Sequence, residues 1–261
     1  MPKIRSIRRF LSRTNSRGPR ERKRKGSEFK TPNSWDLDVK VILALKELRD
    51  PIVEDASVPE FELCAKGPSR FSHVRRGRCE DMPLRAGVVV LHTATLHPSL
   101  LVPRHFTKHL AQTKERFCIT NLGIYREGIL SDGHANALVF DTKRKVIERH
   151  DPHGRNGVRG DVLDLELAQL FQTVLRRWKY EGTIASAPRI GPQLKYDNFG
   201  GMCVTFSLLF VLYRLNNPDR SAKEVNAHID SLSPRRLGDE IMKLNKFAIE
   251  LLKGFKKGSL R

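Results

Sequence analysis

His134, Asp151, Gln193 and Cys203, in that order along the chain, are the residues whose types could carry a reaction together. Cys203 opens the apolar run CVTFSLLFVLYRL, which ends at Leu215 and is apolar on nearly every face. A helix of that composition belongs in a globular core. A cysteine in its first turn faces the positive end of the helix dipole, a setting that favours thiolate. Gly200 and Gly201 just before it allow a tight turn and a close approach of backbone to substrate. Taken alone, a free cysteine is more often a buried core residue than a nucleophile, so the partners matter. The stretch HANALVFDTKRKVIERHDPHG puts His134 at the start of one expected strand and Asp151 just after the next. Pairing the two as a hairpin brings their outer ends side by side. An Asp beside a His fixes the imidazole tautomer and stabilises the imidazolium, and such a His can deprotonate a thiol. An exposed His and a turn Asp before Pro152 form the plain alternative.

The elements that must position these residues can be read in part. Ser34 and early acids, followed by Val39, Ile42, Leu43 and Leu45 at helical spacing, predict a first helix. Residues 50–85 carry Pro51, Pro59, Pro68 and Pro83 and little period, and read as a loop-rich connection. Strands are expected at Ala86–Thr93 and Arg116–Ile124, with a short helix over Leu101–Gln112 between them. A hairpin turning at Thr142-Lys143 joins Leu138–Phe140 to Lys145–Arg149. Asp161–Tyr180 reads as an amphipathic helix, Thr183–Ile190 as a further strand, and Ser221–Leu232 and Pro234–Lys253 as two closing helices. Strands in the middle with helices on both sides give an α+β class.

The combined pattern resembles the adenovirus-type and SUMO-protease-like cysteine peptidases, and within them the variants of large DNA viruses. The resemblance spans His134 to Leu215: the His-led strand, the turn DTKRKV, the Asp after the second strand, Gly191-Pro192-Gln193, and Gly-Gly-x-Cys opening an apolar helix, with RLNNPD fitting the family's helix ending. It implies a permuted papain-like core, a central mostly antiparallel sheet flanked by helices, in which the His precedes the Cys. It also implies roles: Cys203 as thiolate nucleophile, His134 as general base and acid, and Asp151 as the residue that orients His134. Gln193 becomes an oxyanion-hole donor beside the Cys203 backbone N–H. Two departures point away from SUMO itself as substrate. Ala135 follows the His where cellular members carry Trp, and Gly200-Gly201-Met202 precedes the Cys where they carry Asp-x-Gly. Asn136, two residues after His134 on the same strand face, reads equally as a polar contact, a packing residue or a turn residue. His150 and His153 flank Asp151 without the sulfur or extra histidines that a zinc site needs, so no metal is assigned, and the chemistry needs no cofactor.

Composition sets the remaining bounds. The formal net charge is +19, and residues 1–30 hold twelve Lys and Arg against Glu21 and Glu28. That segment cannot bury enough apolar surface to order itself. It is expected to be a disordered basic arm over residues 1–33, followed by a peptidase domain at 34–261, with 34–85 an N-terminal extension and 86–261 the catalytic core. Arg20, Arg22, Lys23, Arg24 and Lys25 form the kind of short basic run that binds nucleic acid or directs nuclear import. Cys64, Cys79, Cys118 and Cys203 are scattered without a Cys-x-x-Cys pair, which argues for a reducing compartment. No apolar run reaches the roughly 18 residues of a membrane span. The expected setting is therefore cytoplasm, nucleus or virion rather than secretion, with no membrane partner. The expected function is a thiol endopeptidase of the viral maturation type that cuts protein precursors, with small-residue or Gly-Gly sites. Two alternatives stand: a nucleic-acid-binding virion or chromatin protein on an inactive peptidase fold, and a ubiquitin- or SUMO-removing protease.

Overall fold

The computed structural model describes residues 37–57, 63–64, 88–92, 104–126, 129–157, 160–196 and 202–256. The basic run at Arg20–Lys25 and the Gly200-Gly201 turn lie outside them.

Among the described residues the framework is one mixed sheet of seven strands: β1 (Ala56–Ser57), β2 (Leu63–Cys64), β3 (Val88–His92), β4 (Phe117–Arg126), β5 (Ile129–Asp141), β6 (Val146–His150) and β7 (Lys179–Glu181). The order is β2-β3-β4-β5-β6-β7, and β1 shares an edge of β4 with β3. β1 pairs at Phe117 and Cys118, while β3 pairs from Asn121 to Tyr125. The helices are α1 (Leu37–Glu47), α2 (Arg104–Gln112), α3 (Gly160–Val174), α4 (Thr183–Ser186), α5 (Pro192–Tyr196), α6 (Cys203–Asn216), α7 (Ala222–Ser231) and α8 (Pro234–Lys256). None of the described helices is long and apolar enough to cross a membrane.

Strand alternation sorts the core into two layers. Phe117, Ile119, Ala135, Ala137 and Val139 face α6, with α1, α7 and α8 packed around it. Cys118, Leu122, Leu138, Phe140 and Ile147 face Leu163, Leu167 and Phe171 of α3. Ala135 and Ala137 are small, so α6 lies close on β5, and Ser207 Oγ donates to the Ala135 carbonyl at 3.3 Å. Every residue from Cys203 to Leu215 is buried, as the apolar run requires. Arg214 is polar yet wholly buried. It reaches Glu148 at 2.7 Å and Asp141 at 3.3 Å, and donates to the Pro218 carbonyl at 3.0 Å. The RLNNPD ending is thus a buried ionic clamp on the last turn of α6. Val41, Ile42 and Leu45 of α1 enter the same core as α6. Ser221 and Glu224 form a reciprocal capping box that starts α7.

Four sequence expectations change. Among the described strands the sheet is not mostly antiparallel: β4–β5 and β5–β6 are, while β1–β4, β2–β3, β3–β4 and β6–β7 are parallel. Parallel neighbours need a crossover, and α2 and α3 supply it for β3–β4 and β6–β7. The helix from Asp161 stops at Val174 instead of running to Tyr180. Beyond it, Trp178 and Tyr180 sit two residues apart, the strand period, and both pack on the α3-side core. The segment from Thr183 holds the short helix α4 rather than a strand. Its first turn is capped from α3, where Asp164 accepts from Thr183 Oγ1 at 2.7 Å and from the Ile184 N–H at 3.2 Å. Finally, β5 begins at Ile129, so His134 lies within that strand, paired to Ile124 of β4.

Candidate active site

The β5–β6 hairpin turns through Thr142–Lys145, where Asp141 Oδ1 accepts from the N–H groups of Lys143 and Arg144. Its register ends at Ala137 opposite His150. That places Asp151, the next residue, beside His134 across the sheet, and His134 Nε2 is 2.7 Å from Asp151 Oδ1. Oδ1 also accepts the His153 N–H at 2.9 Å, and Oδ2 accepts from Arg149 Nη2 at 3.0 Å. Gly157 lies against the same carboxylate: a Cβ there would stand 2.4 Å from Oδ2.

Arg149 organises the back of the site. It is wholly buried, and it donates to Asn136 Oδ1 at 2.8 Å and to Asp164 Oδ1 at 2.8 Å, as well as to Asp151. Asp164 in turn accepts from Tyr180 Oη at 2.8 Å. With His134 protonated, two cations face two carboxylates, the balance a buried cluster needs. Burial alone would strip the charge from both members of the central pair. It is outweighed at Asp151 by His134, Arg149 and the His153 N–H, which hold the carboxyl well below its usual range. It is outweighed at His134 by the Asp151 carboxylate and then by the Cys203 sulfur, so that ring is pushed up to about 9.

Cys203 arrives from the other side of the sheet as the first residue of α6. The Ser207–Ala135 bond one turn later anchors that end of the helix next to His134. His134 therefore has Asp151 on one side and interacts with the Cys203 thiol as well. Cys118 is also buried, but burial pushes its thiol up to about 12, which leaves it inert.

Gln193 is carried by a third segment. Gly191 donates its N–H to the His153 carbonyl at 2.8 Å, and Gln193 donates its backbone N–H to the Pro152 carbonyl at 3.1 Å. Gly154, at φ +77°, adopts a backbone that favours glycine, and a Cβ on it would lie 2.5 Å from Gly191 N. The Asp-Pro-His-Gly and Gly-Pro-Gln turns thus meet glycine to glycine, and Gln193 is buried beside them in α5. At the far end of α5, Tyr196 fills the notch left by Gly238 of α8.

His150 has another fate. Its Nδ1 donates to Asn226 Oδ1 at 2.8 Å, and its ring stacks on Phe210 with centroids 4.3 Å apart. Burial dominates there and lowers its pKa to about 4, so the ring stays neutral. His134, Asp151 and His153 lie near enough to suggest a metal cluster. The two rings, however, stack at 3.9 Å with planes 20° apart. Imidazole lone pairs lie in the ring plane, so rings stacked this way cannot both point at one ion about 2.0–2.1 Å away.

No protein-family model matches the chain, and no curated protein does. Among solved structures it is similar to the Chlamydia trachomatis effector protein ChlaDUB1, at a TM-score of 0.40 and 12% identity, over 83% of this chain and 73% of that one. A likeness this distant leaves the reading of the site on its own geometry.

The structure brings His134, Asp151 and Cys203 together and docks the Gln193 segment onto the Asp151 turn. The sequence reading missed Arg149, Asp164, Gly157 and Gly238. A signal existed for two of them. Arg149 stands two residues before Asp151 and so shares its strand face, and a glycine inside a helical pattern, as at Gly238, usually has a packing reason. Asn136 proves to be Arg149's acceptor.

Proposed function

We propose that the protein is a cysteine peptidase. The observation that carries this is the buried His134–Asp151 pair at 2.7 Å, with the Cys203 thiol, at the first residue of a buried helix, as the ring's other partner. With the thiol proton already resting on His134, Cys203 Sγ attacks the scissile carbonyl carbon, forming the S–C bond. The carbonyl oxygen becomes an oxyanion that accepts from the Cys203 backbone N–H, at the positive end of α6, and from the Gln193 side-chain amide. Such donors are worth about 2.7–4 kcal/mol each in the transition state. The C–N bond then breaks as His134 gives its proton to the leaving amine. Water, deprotonated by His134, releases the acyl group and restores the thiol. Asp151 keeps Nε2–H pointed at itself throughout, so the other ring nitrogen is the one that handles protons.

The substrates in this reading are protein precursors of the maturation type, cut beside small residues. The Lys- and Arg-rich first thirty residues supply a counterion-releasing contact to nucleic acid. The test is irreversible labelling with a peptide vinyl sulfone and mass spectrometry of the digest. The adduct is expected on Cys203, absent from Cys118, and lost in His134→Ala. Equal labelling of wild type and His134→Ala sinks the assignment. A ubiquitin-like vinyl sulfone that labels faster than the short peptide shifts the substrate class to ubiquitin-like conjugates.

A further inference from the structure

We infer that His153 is a positioning residue for the base: its ring is a flat support that holds the His134 imidazole in the Asp151 plane. The inference rests on the peptidase reading above and names a residue that reading does not use.

Three observations on one residue carry it. The His153 ring lies face to face with His134, centroids 3.9 Å apart and planes 20° from parallel. The His153 N–H donates at 2.9 Å to Asp151 Oδ1, the same oxygen that takes His134 Nε2 at 2.7 Å. The His153 carbonyl accepts the Gly191 N–H at 2.8 Å, which ties it to the turn that carries Gln193. Backbone and side chain thus act on the same imidazole–carboxylate pair, and neither can shift without the other. His153 is only half-buried, whereas His134 is buried. Its ring is therefore the layer between the face of the base and solvent. Asp151 and the Cys203 sulfur hold His134 at its edge, and neither presses on the face of the ring. A flat ring against one face restrains tilting of the imidazole. A base that must accept and return a proton on a fixed line gains from this in the rate constant rather than in substrate affinity.

The face of the ring, not its nitrogens, does the holding, so another flat ring can replace it. The test uses the full chain and a peptide that the wild type cleaves. His153→Ala is expected to lower kcat by roughly two- to tenfold, the range of one aromatic stack, with KM nearly unchanged. His153→Phe is expected to recover to within about twofold of wild type by the same argument. Urea midpoints of both variants should match wild type, because the residue sits at a half-exposed turn. His153→Ala with wild-type kcat overturns the inference. So does a loss confined to KM, or a His153→Phe as slow as His153→Ala. Iodoacetamide alkylation of Cys203 separates this from failure of the peptidase reading, since it probes the Cys–His pair without hydrolysis. Slower alkylation in His153→Ala, restored in His153→Phe, in a protein that cleaves nothing upholds the inference and discards the peptidase. Cleavage by wild type with unchanged kcat in His153→Ala does the reverse.

Discussion

His134 and His150 sit at one end of the same hairpin, both buried, both stacked on another ring, and they end in opposite charge states. Each has a side-chain oxygen at hydrogen-bond distance: a carboxylate 2.7 Å from His134, an amide 2.8 Å from His150. The Asn226 amide is turned so that its Nδ2 donates to the Ser186 carbonyl at 3.1 Å, which leaves Oδ1 as a pure acceptor for the His150 N–H. An amide oxygen fixes a tautomer but cannot offset the burial of a cation, so His150 falls to about 4. A carboxylate does both, and His134 rises to about 9. Burial, then, does not make a base. The partner decides, and His134 itself, with Arg149 and the His153 N–H behind it, keeps that partner ionised.

The sharpest break in the comparison is to remove each ring in turn. His134→Ala, like Cys203→Ala, should lower kcat/KM by about 10⁴-fold or more, because nucleophile and base act as a unit. His150→Phe keeps the stack on Phe210 and should leave turnover per folded molecule unchanged. It should cost about 1–3 kcal/mol of stability for the stranded Asn226 acceptor. Steady-state kinetics on both variants, with urea titrations alongside, read the two effects separately. Equal losses of turnover would mean that His150 takes part in the chemistry.

Exchanging the partners comes next. Asp151→Asn gives His134 the kind of neighbour that His150 has. The amide must also set its NH₂ against either the Arg149 guanidinium or the His153 N–H, so the tautomer is no longer held. A fall in kcat of about 10²–10⁴-fold is expected, with the His134 pKa dropping below 6.5 in an NMR titration. Asn226→Asp should raise the His150 pKa in the same experiment. If neither value moves, the partner is not what separates the two rings.

Gln193 lies outside both pairs and tests whether the rate depends on more than the imidazole. Gln193→Ala should lower kcat by roughly 10²–10³ with KM little changed, since an oxyanion donor acts mainly in the transition state. Both histidine pKa values should stay where they are. A raised KM alone, or a lower melting temperature with normal turnover, assigns Gln193 to the fold.

The smallest effect is on stability against pH, and the two rings pull it in opposite directions. His134 is raised from 6.5 to about 9, so its contribution is complete below pH 6.5 and fades as pH rises toward 9. His150 is lowered from 6.5 to about 4, so its contribution is complete above pH 6.5 and fades as pH falls toward 4. Urea unfolding from pH 4 to 9 should show the alkaline decline flattened in His134→Ala and the acid decline flattened in His150→Phe. The reverse assignment of the two limbs would refute the partner argument.

Much of this site was legible in the chain. A run as apolar as Val204–Leu215 has to be a buried helix, and the cysteine at its mouth has to be a helix N-terminus. The Asp141-Thr142-Lys143 turn between two β-rich runs has to be a hairpin, which brings residues 134 and 151 together. The errors fell where a local pattern competed with a distant partner. Thr183–Ile190 looks like a strand, but Asp164 of α3 caps Thr183 and Ile184 into a helical turn. The flanking strands pair in parallel because two helices cross over between them, and no local period records a crossover.

The amino-acid sequence by itself determined the kinds of group available, their order, and the helix and hairpin that present the cysteine and the acid. How the surroundings of His134, His150 and His153 differ was decided only by tertiary structure. All three lie near Asp151, but neighbouring residues on a strand point to opposite faces. His150 therefore turns toward α6 and meets Phe210 and Asn226, while Arg149 and Asp151 turn toward α3. His134 meets Asp151 only because the register seats Ala137 opposite His150. A shift of one residue would have sent each side chain to the other face.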